Sequence, residues 1–353
     1  MKKTIEKTVS LMVVGIVAIS MLVACGASTP ATQPQTAQPA LDPAPSPEPA
    51  LEPEPEPEPE PFVLEYPADM RSMGFTDPLI LDIVPNRVAI MSVGAVMTLY
   101  NLGVGIVAVP TTGLITYPDT LDVPRLPSAM ADDFDIEMVV SLDPDLVVMP
   151  MTLAETHGAT LQMLGIPVYF VMAGHVVPYD SIRMQTSYFI EAFGNEENAD
   201  AGQAMEEAFD DLENYFAVVQ ERAAGMTVMV LQGNSHIQTS MALLGSMLEM
   251  LGFTNVSEMP GSLVMIDFEQ ALYYDPDWVF AVGSAPTAEE HQAFMEASFA
   301  DNQSYWDSIP AIYDGRIIYL PMRFVSSAGI AIVDIFNELI EIVDGLLGEQ
   351  ASD

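Results

Sequence analysis

The sequence predicts an α/β protein of two lobes, each with a central, mainly parallel sheet flanked by helices, joined by one long backbone helix. Three observations predict it. Residues 198–223 carry Met205, Ala208, Phe209, Leu212, Tyr215, Phe216 and Val219 at three- and four-residue steps, which places them on one helical face. Glu206, Glu207, Asp210, Asp211 and Glu213 take the other side, and Arg222 stands at the C-terminal end where the helix dipole favours a cation. At about 1.5 Å per residue this helix spans roughly 38 Å, enough to cross a two-lobed molecule. Secondly, a pattern recurs on either side of it: Asp135, Glu137, Asp143-Pro144-Asp145 and an apolar run, then Asp267, Glu269, Asp275-Pro276-Asp277 and an apolar run, every position offset by 132. Such self-similarity predicts two half-molecules of similar build. Thirdly, short apolar runs alternate with helical patterns, as in a parallel sheet flanked by helices.

Taken in order, the chain starts with an export signal over residues 1–24. Lys2, Lys3 and Lys7 precede an apolar segment over 11–24 that is too short for an ordinary membrane span. It ends in Leu22-Val23-Ala24-Cys25, which resembles the bacterial lipobox and makes Cys25 the expected site of lipidation. Cys25 is also the only cysteine, so no intramolecular disulfide and no cysteine metal cluster can form. Residues 25–61 hold Pro, Ala, Thr and Gln and then a Pro-Glu alternation, a composition that buries no core and reads as an extended tether. The anchor is expected at the extracytoplasmic face of the cell membrane.

The formal net charge is −40. Cleavage before Cys25 would remove all three lysines and Glu6, leaving seven arginines and a charge of −42. Such a surface repels nucleic acid and anionic lipid, so membrane contact is expected through the lipid alone. It also makes each arginine worth tracing.

The body is long enough for two domains with separate cores: an N-terminal lobe over 62–197, the connecting helix over 198–223 and a C-terminal lobe over 224–353. Strands are expected at 87–91, 105–109, 146–149 and 168–171, with helices at 95–102, 135–142, 155–164 and 179–193. The second lobe repeats this with strands at 227–231, 278–282 and 316–320 and helices at 243–251, 268–274, 288–297 and 328–347. The Asp-Pro-Asp motifs stand at helix-to-strand turns, with Pro stopping the helix, and read as structural rather than as an acid/base pair.

Ligands of open α/β sheets bind beyond the strand C-termini. The loops there offer Met91, Ser92, Thr111, Thr112, Met130, His175, His236 and Arg323 as ligand-binding candidates. Arg125 and Arg323 could pair with carboxylates of a ligand. No G-x-S-x-G, H-E-x-x-H or P-loop is present, and the chain is expected to bind rather than catalyse.

Pro85-Asn-Arg-Val-Ala-Ile-Met, Leu99-Tyr-Asn-Leu-Gly-Val, the segments 137–145 and 267–277, Leu164-Gly-Ile-Pro-Val, Leu251-Gly-Phe-Thr-Asn-Val and Ile309-Pro-Ala-Ile-Tyr-Asp-Gly-Arg-Ile-Ile-Tyr-Leu follow one another in this chain. Together they resemble the helical-backbone (class III) solute-binding lipoproteins of ABC importers for heme, ferric siderophores and cobalamin. The resemblance covers nearly all of 85–348. It implies rigid lobes, a cleft between them, small closure motion, and an acidic residue on each lobe that docks on permease arginines. Glu155 holds that position in the first lobe, and Glu289 or Glu290 in the second.

Pro110-Thr-Thr-Gly, Tyr117-Pro and Val123-Pro-Arg-Leu-Pro-Ser-Ala-Met130 are most similar to Gram-positive heme-receptor lipoproteins. Those hold heme iron between a Met of the first lobe and a His of the second, which implies Met130 as one ligand. The loop after Val282, where the His would stand, reads Gly283-Ser-Ala-Pro-Thr instead. His236 is the remaining candidate, and His291 is expected to face away.

The resemblance therefore implies a monomeric receptor, with no intrinsic cofactor, that delivers heme or a related iron complex to an ABC permease and its ATPase. A ferric-siderophore or cobalamin receptor is the alternative among binding proteins. An enzyme or a surface interaction module on the same scaffold is the alternative of another class.

Overall fold

The computed structural model describes residues 60–129, 131, 134–173, 177–257, 259–266, 273–326 and 329–350, the last two without their side chains. Cys25, Met130, His175 and most of the helix expected over 268–274 lie outside the described residues.

The first lobe is built on five parallel strands in the order β5-β4-β3-β6-β7. These are β3 (Val88–Ile90), β4 (Ile106–Pro110), β5 (Arg125–Leu126), β6 (Leu146–Pro150) and β7 (Val168–Val171). All five residues of β6 are buried, as a central strand covered on both faces requires. Helices α2 (Val93–Asn101), α3 (Ile136–Ser141), α4 (Ala159–Met163) and α5 (Tyr179–Phe193) alternate with the strands. The helix expected over 155–164 is not uniform: a π-helical turn, Ala154–Gly158, leads into α4. Gly158 lies against the Phe170 ring, where a Cβ would come within 2.6 Å, so only glycine permits this approach to β7.

Ahead of this lobe, β1 (Phe62–Leu64) pairs antiparallel with β2 (Leu79–Leu81), and α1 (Ala68–Ser72) lies between them. Tyr66 stacks on Tyr169 at 4.6 Å, and Phe62 meets Phe193 edge-on at 4.9 Å. The small sheet is thereby fixed to the lobe.

Helix α6 (Ala199–Ala223) follows, with Met205, Phe209, Leu212, Phe216, Val219 and Ala223 buried. Asn198 anchors its start, donating from Nδ2 to the carbonyls of Leu102 (2.8 Å) and Phe193 (3.0 Å).

The second sheet differs from the first. Strands β8 (Thr227–Gln232), β10 (Thr254–Asn255), β12 (Trp278–Val282) and β13 (Ile317–Leu320) pair parallel. A hairpin, however, brings β9 (His236–Gln238) back antiparallel to β8, and β11 (Leu263–Met265) adds antiparallel to β9. Gly233 opens that hairpin with φ +59°, a conformation that favours glycine. Helix α7 (Leu243–Met250), helix Ala288–Asp301 and the C-terminal helix Ile332–Gln350 flank the sheet.

The expected division into separate cores does not appear. One apolar cluster runs from β3 and β6 through α5 and α6 to Val228, Val230, Phe280 and the C-terminal helix, and only the outer face of the second sheet has its own cluster. The cause is the end of the chain. Residues 329–331 pack on α2 and α5, and the C-terminal helix lies along α6. Gly329 (φ +60°) sits against the Gly94 carbonyl so closely that any Cβ would overlap it.

The Asp-Pro-Asp repeats are clamps. The Asp145 carboxylate accepts from the backbone N–H of Asn86 (2.8 Å) and Arg87 (2.9 Å), at the start of β3. The Asp277 carboxylate accepts from Thr227 N (2.7 Å) and Thr227 Oγ1 (3.0 Å), at the start of β8. The first motif follows α3, and each fixes the register of the next strand with its neighbour. Hydrogen bonds to a charged acceptor contribute about 1.5–3 kcal/mol. Asp145→Ala and Asp277→Ala should each lower the unfolding free energy by about 2 kcal/mol in urea titrations. A change below about 0.5 kcal/mol would mean the turns hold without them.

Candidate functional site

A cavity of about 660 Å³ lies where both sheets end. One wall is formed by Met91–Gly94 after β3, the 110–114 segment after β4 and Pro150 of β6. The other is formed by Gln232, Gly233 and His236 of the β8–β9 hairpin, Gly283 and Ser284 after β12, and Met322, Val325 and Ser326 after β13. Apart from His236, which the antiparallel hairpin brings back beside Gln232, these residues stand at or just beyond the C-termini of parallel strands, and that topology gathers their loops. Its size suits an organic ligand rather than a bare ion.

The chemistry of the walls is unusual for so acidic a chain. None of the described lining residues is Asp, Glu, Lys or Arg. Polar groups are hydroxyls, one amide and one imidazole, and sulfur comes from Met91 and Met322. Among the described residues no group of three or more His, Cys, Asp and Glu converges to hold a metal ion. Ser92 is the N-cap of α2 but makes no capping bond, and its hydroxyl is buried without a partner. His236 Nδ1 lies 2.9 Å from Ser235 Oγ. With Nδ1 as the donor, Nε2 keeps its lone pair.

Met91, Ser92, Thr111, Thr112 and His236 are thus brought to one cavity. Arg125 and Arg323 do not line it. The Arg323 guanidinium is held by both carboxylate oxygens of Glu338, with Nε to Oε2 at 2.9 Å. Arg125 donates to the Leu121 carbonyl at 2.8 Å and lies 4.3 Å over the Tyr117 ring, whose hydroxyl burial pushes up to about 12. The other arginines are engaged too: Arg71 with the Tyr66 carbonyl, Arg87 with Asp143, Arg183 with Asp210 and Glu213, Arg222 with Asp344, and Arg316 with Asp314. No arginine is left over for a ligand, which corrects the expectation that two arginines would face one.

Glu155, Glu289 and Glu290 are exposed, on the first turns of the helical segments that follow β6 and β12. Sequence reasoning missed Gln232, Ser284, Met322, Val325 and Ser326. Gly233-Asn234-Ser235 is turn chemistry that announces a hairpin. That signal would have placed Gln232 and His236 side by side.

His291 lies away from the cavity, as its helix position predicts. It is buried, and its imidazole fills the space a side chain at Gly283 would take. The ring supports the cleft loop from behind and lines no cavity. Its Nε2 has no hydrogen-bond partner, and burial lowers its pKa, so it is held neutral.

A family model described as periplasmic binding protein matches residues 88–323. A search of curated proteins finds no match. Among solved structures, Staphylococcus aureus IsdE complexed with heme is 18% identical with a TM-score of 0.58, over 73% of this chain and 98% of its own. The periplasmic heme binding protein HutB of Vibrio cholerae is 15% identical with a TM-score of 0.58, over 73% and 98%. The iron uptake ABC transporter substrate-binding protein PiuA of Streptococcus pneumoniae is 19% identical with a TM-score of 0.57, over 80% and 98%. At these identities the likeness is one of fold.

Because the folded imidazole titrates below the unfolded value of about 6.5, the stability linked to His291 is whole above that pH and is lost as pH falls below it. The unfolding free energy of His291→Gln should therefore fall less steeply below pH 6.5 than that of the unmodified protein, as read from melting curves taken at a series of pH values. Parallel curves for the two proteins would exclude the effect.

Proposed function

This chain belongs to the periplasmic binding protein family, and from that premise we propose that it is the lipid-anchored, substrate-binding component of an ABC importer for heme or a related iron complex. The observation that carries the proposal is the uncharged cleft. A bare divalent or ferric ion calls for carboxylates, and none is among the described lining residues. A polyanionic catecholate complex calls for arginines, and all seven are engaged elsewhere. An apolar, flat iron complex with open axial positions suits thioether and imidazole walls. His236 would supply imidazole through Nε2, and Met130 would supply sulfur from the first lobe. That IsdE binds heme and that PiuA serves iron uptake supports the reading.

Cys25 would carry the lipid, with residues 30–61 as the spacer. Glu155, Glu289 and Glu290 would meet the permease, since they are exposed on helices of both lobes that follow the central strands. Binding and delivery, without catalysis, complete the role.

Absorbance titration of the purified body with hemin tests the ligand. Hemin should bind with a sharpened Soret band. His236→Ala should weaken binding about tenfold or more and shift that band, and Met130→Ala should shift it differently. Binding of cobalamin or a ferric hydroxamate with none of hemin would overturn the heme reading.

An uptake assay in cells carrying the cognate permease tests delivery. Cys25→Ser should release the protein from membranes. Glu155→Lys combined with Glu289→Lys and Glu290→Lys should abolish uptake at unchanged hemin affinity, because these acids stand outside the cleft. Full uptake by the triple variant would remove the docking assignment.

A further inference from the structure

The β8–β9 hairpin fixes the polarity of one cleft residue. Gly245, at the third position of α7, donates its backbone N–H to Gln238 Oε1 at 3.3 Å. A backbone N–H is a donor without ambiguity, so the oxygen of this amide must face it. The Gln238 amide nitrogen is then the end that lies 2.7 Å from Gln232. Two amide nitrogens cannot face each other in a hydrogen bond, so Gln232 turns its Oε1 to Gln238. The polar group left to Gln232 is Nε2, which carries two donors and for which no described residue accepts.

The chain cannot easily reverse. Gln238 is fully buried, so no water relieves a flipped amide. Its oxygen also takes the place of an N-cap, because Ala242 precedes α7 and has no side-chain acceptor. Gly245 makes the approach possible: a Cβ there would overlap the Thr239 carbonyl. The positive end of α7 thus polarises Gln238, and Gln238 polarises Gln232, in a direction that strengthens donation into the cleft. Across the cavity, α2 begins uncapped where Val93 and Gly94 line the wall.

We propose that Gln232 is a specificity-determining residue that takes a carboxylate oxygen of the ligand, and that Gln238 is its positioning residue. With no Lys or Arg among the described lining residues, an amide locked as a donor is how this wall recognises an anionic group. The proposal rests on the reading of the cleft as a receptor for heme, whose propionates are such carboxylates.

The test compares hemin with hemin dimethyl ester, in which both carboxylates are masked. Gln232→Glu replaces donors by acceptors at equal size. It should weaken hemin about tenfold or more and the ester less than about threefold. Gln238→Met should lower the hemin-to-ester preference without weakening the ester, whereas a merely structural role would weaken both. If Gln238→Met does not fold, Gln232→Glu decides alone. Equal losses for the two probes, or none, overturn the carboxylate subsite and leave the heme reading standing. If hemin does not bind, the Gln232 side-chain amide resonance is followed during titration with acetate. A saturable shift keeps the subsite while the heme reading falls, and no shift ends both.

Discussion

Four rings hold the molecule together. Tyr179 at the start of α5 is in edge contact with Phe209 (5.8 Å) and Phe216 (5.7 Å) of α6 and with Phe336 of the C-terminal helix (5.2 Å). Phe216 and Phe336 also meet at 4.9 Å. Such pairs contribute about 0.5–1.5 kcal/mol each beyond the area they bury. More important is what they join. The first lobe, the long helix and the returning end of the chain share one packed volume, so the lobes are not beads on a hinge. The Tyr179 hydroxyl donates to Glu213 at 3.2 Å, and Arg183 pairs with both that carboxylate and Asp210. The dense negative face of α6 is tied down where it meets α5.

The same economy governs charge. With 50 acids and ten bases, self-repulsion disfavours the compact state. The seven arginines are engaged by backbone carbonyls and by carboxylates, among them Asp210 and Glu213 of α6 and Glu338 and Asp344 of the C-terminal helix. Arg87, just before β3, and Arg316, just before β13, each reach a carbonyl of an Asp-Pro-Asp turn. The described walls of the cleft stay free of charged side chains. A single carboxylate there would be desolvated on ligand binding without a partner, and a single arginine there would be missing from the scaffold.

The central strands and long helices were legible because their apolar runs and periods are long compared with noise. The ranges 168–171, 179–193 and 278–282 agree with Val168–Val171, Tyr179–Phe193 and Trp278–Val282 to the residue. Strands β1, β2, β5, β9, β10 and β11 have two or three residues each, too few for any alternation to register. Cleft membership was legible for residues that follow a predicted strand, since topology decides it. The partners of the arginines were not. Glu338 stands fifteen residues beyond Arg323, on a helix whose orientation depends on the aromatic contacts of Phe336, and no local pattern encodes that. The burial of His291 was not legible for a similar reason: the space that holds its ring is the missing side chain of Gly283.

The two sheets diverge at the place where the ligand chemistry gathers. The first is parallel throughout, so each of its loops reaches the cleft from a separate crossover. The second inserts the β8–β9 hairpin, whose register sets Gln232 opposite His236. Directly opposed residues of an antiparallel pair share a face, with Cβ atoms about 5 Å apart. A hydrogen-bond donor and an imidazole are therefore presented side by side, on a rigid element, by a turn of three residues. Val230 and Gln238 form the next opposed pair on that face, which is why Gln238 can reach diagonally to Gln232. A parallel strand at this position would have separated the same residues by a helix. The departure from internal symmetry is what gives the second wall its polarity, while the first contributes sulfur, hydroxyls and a helix start.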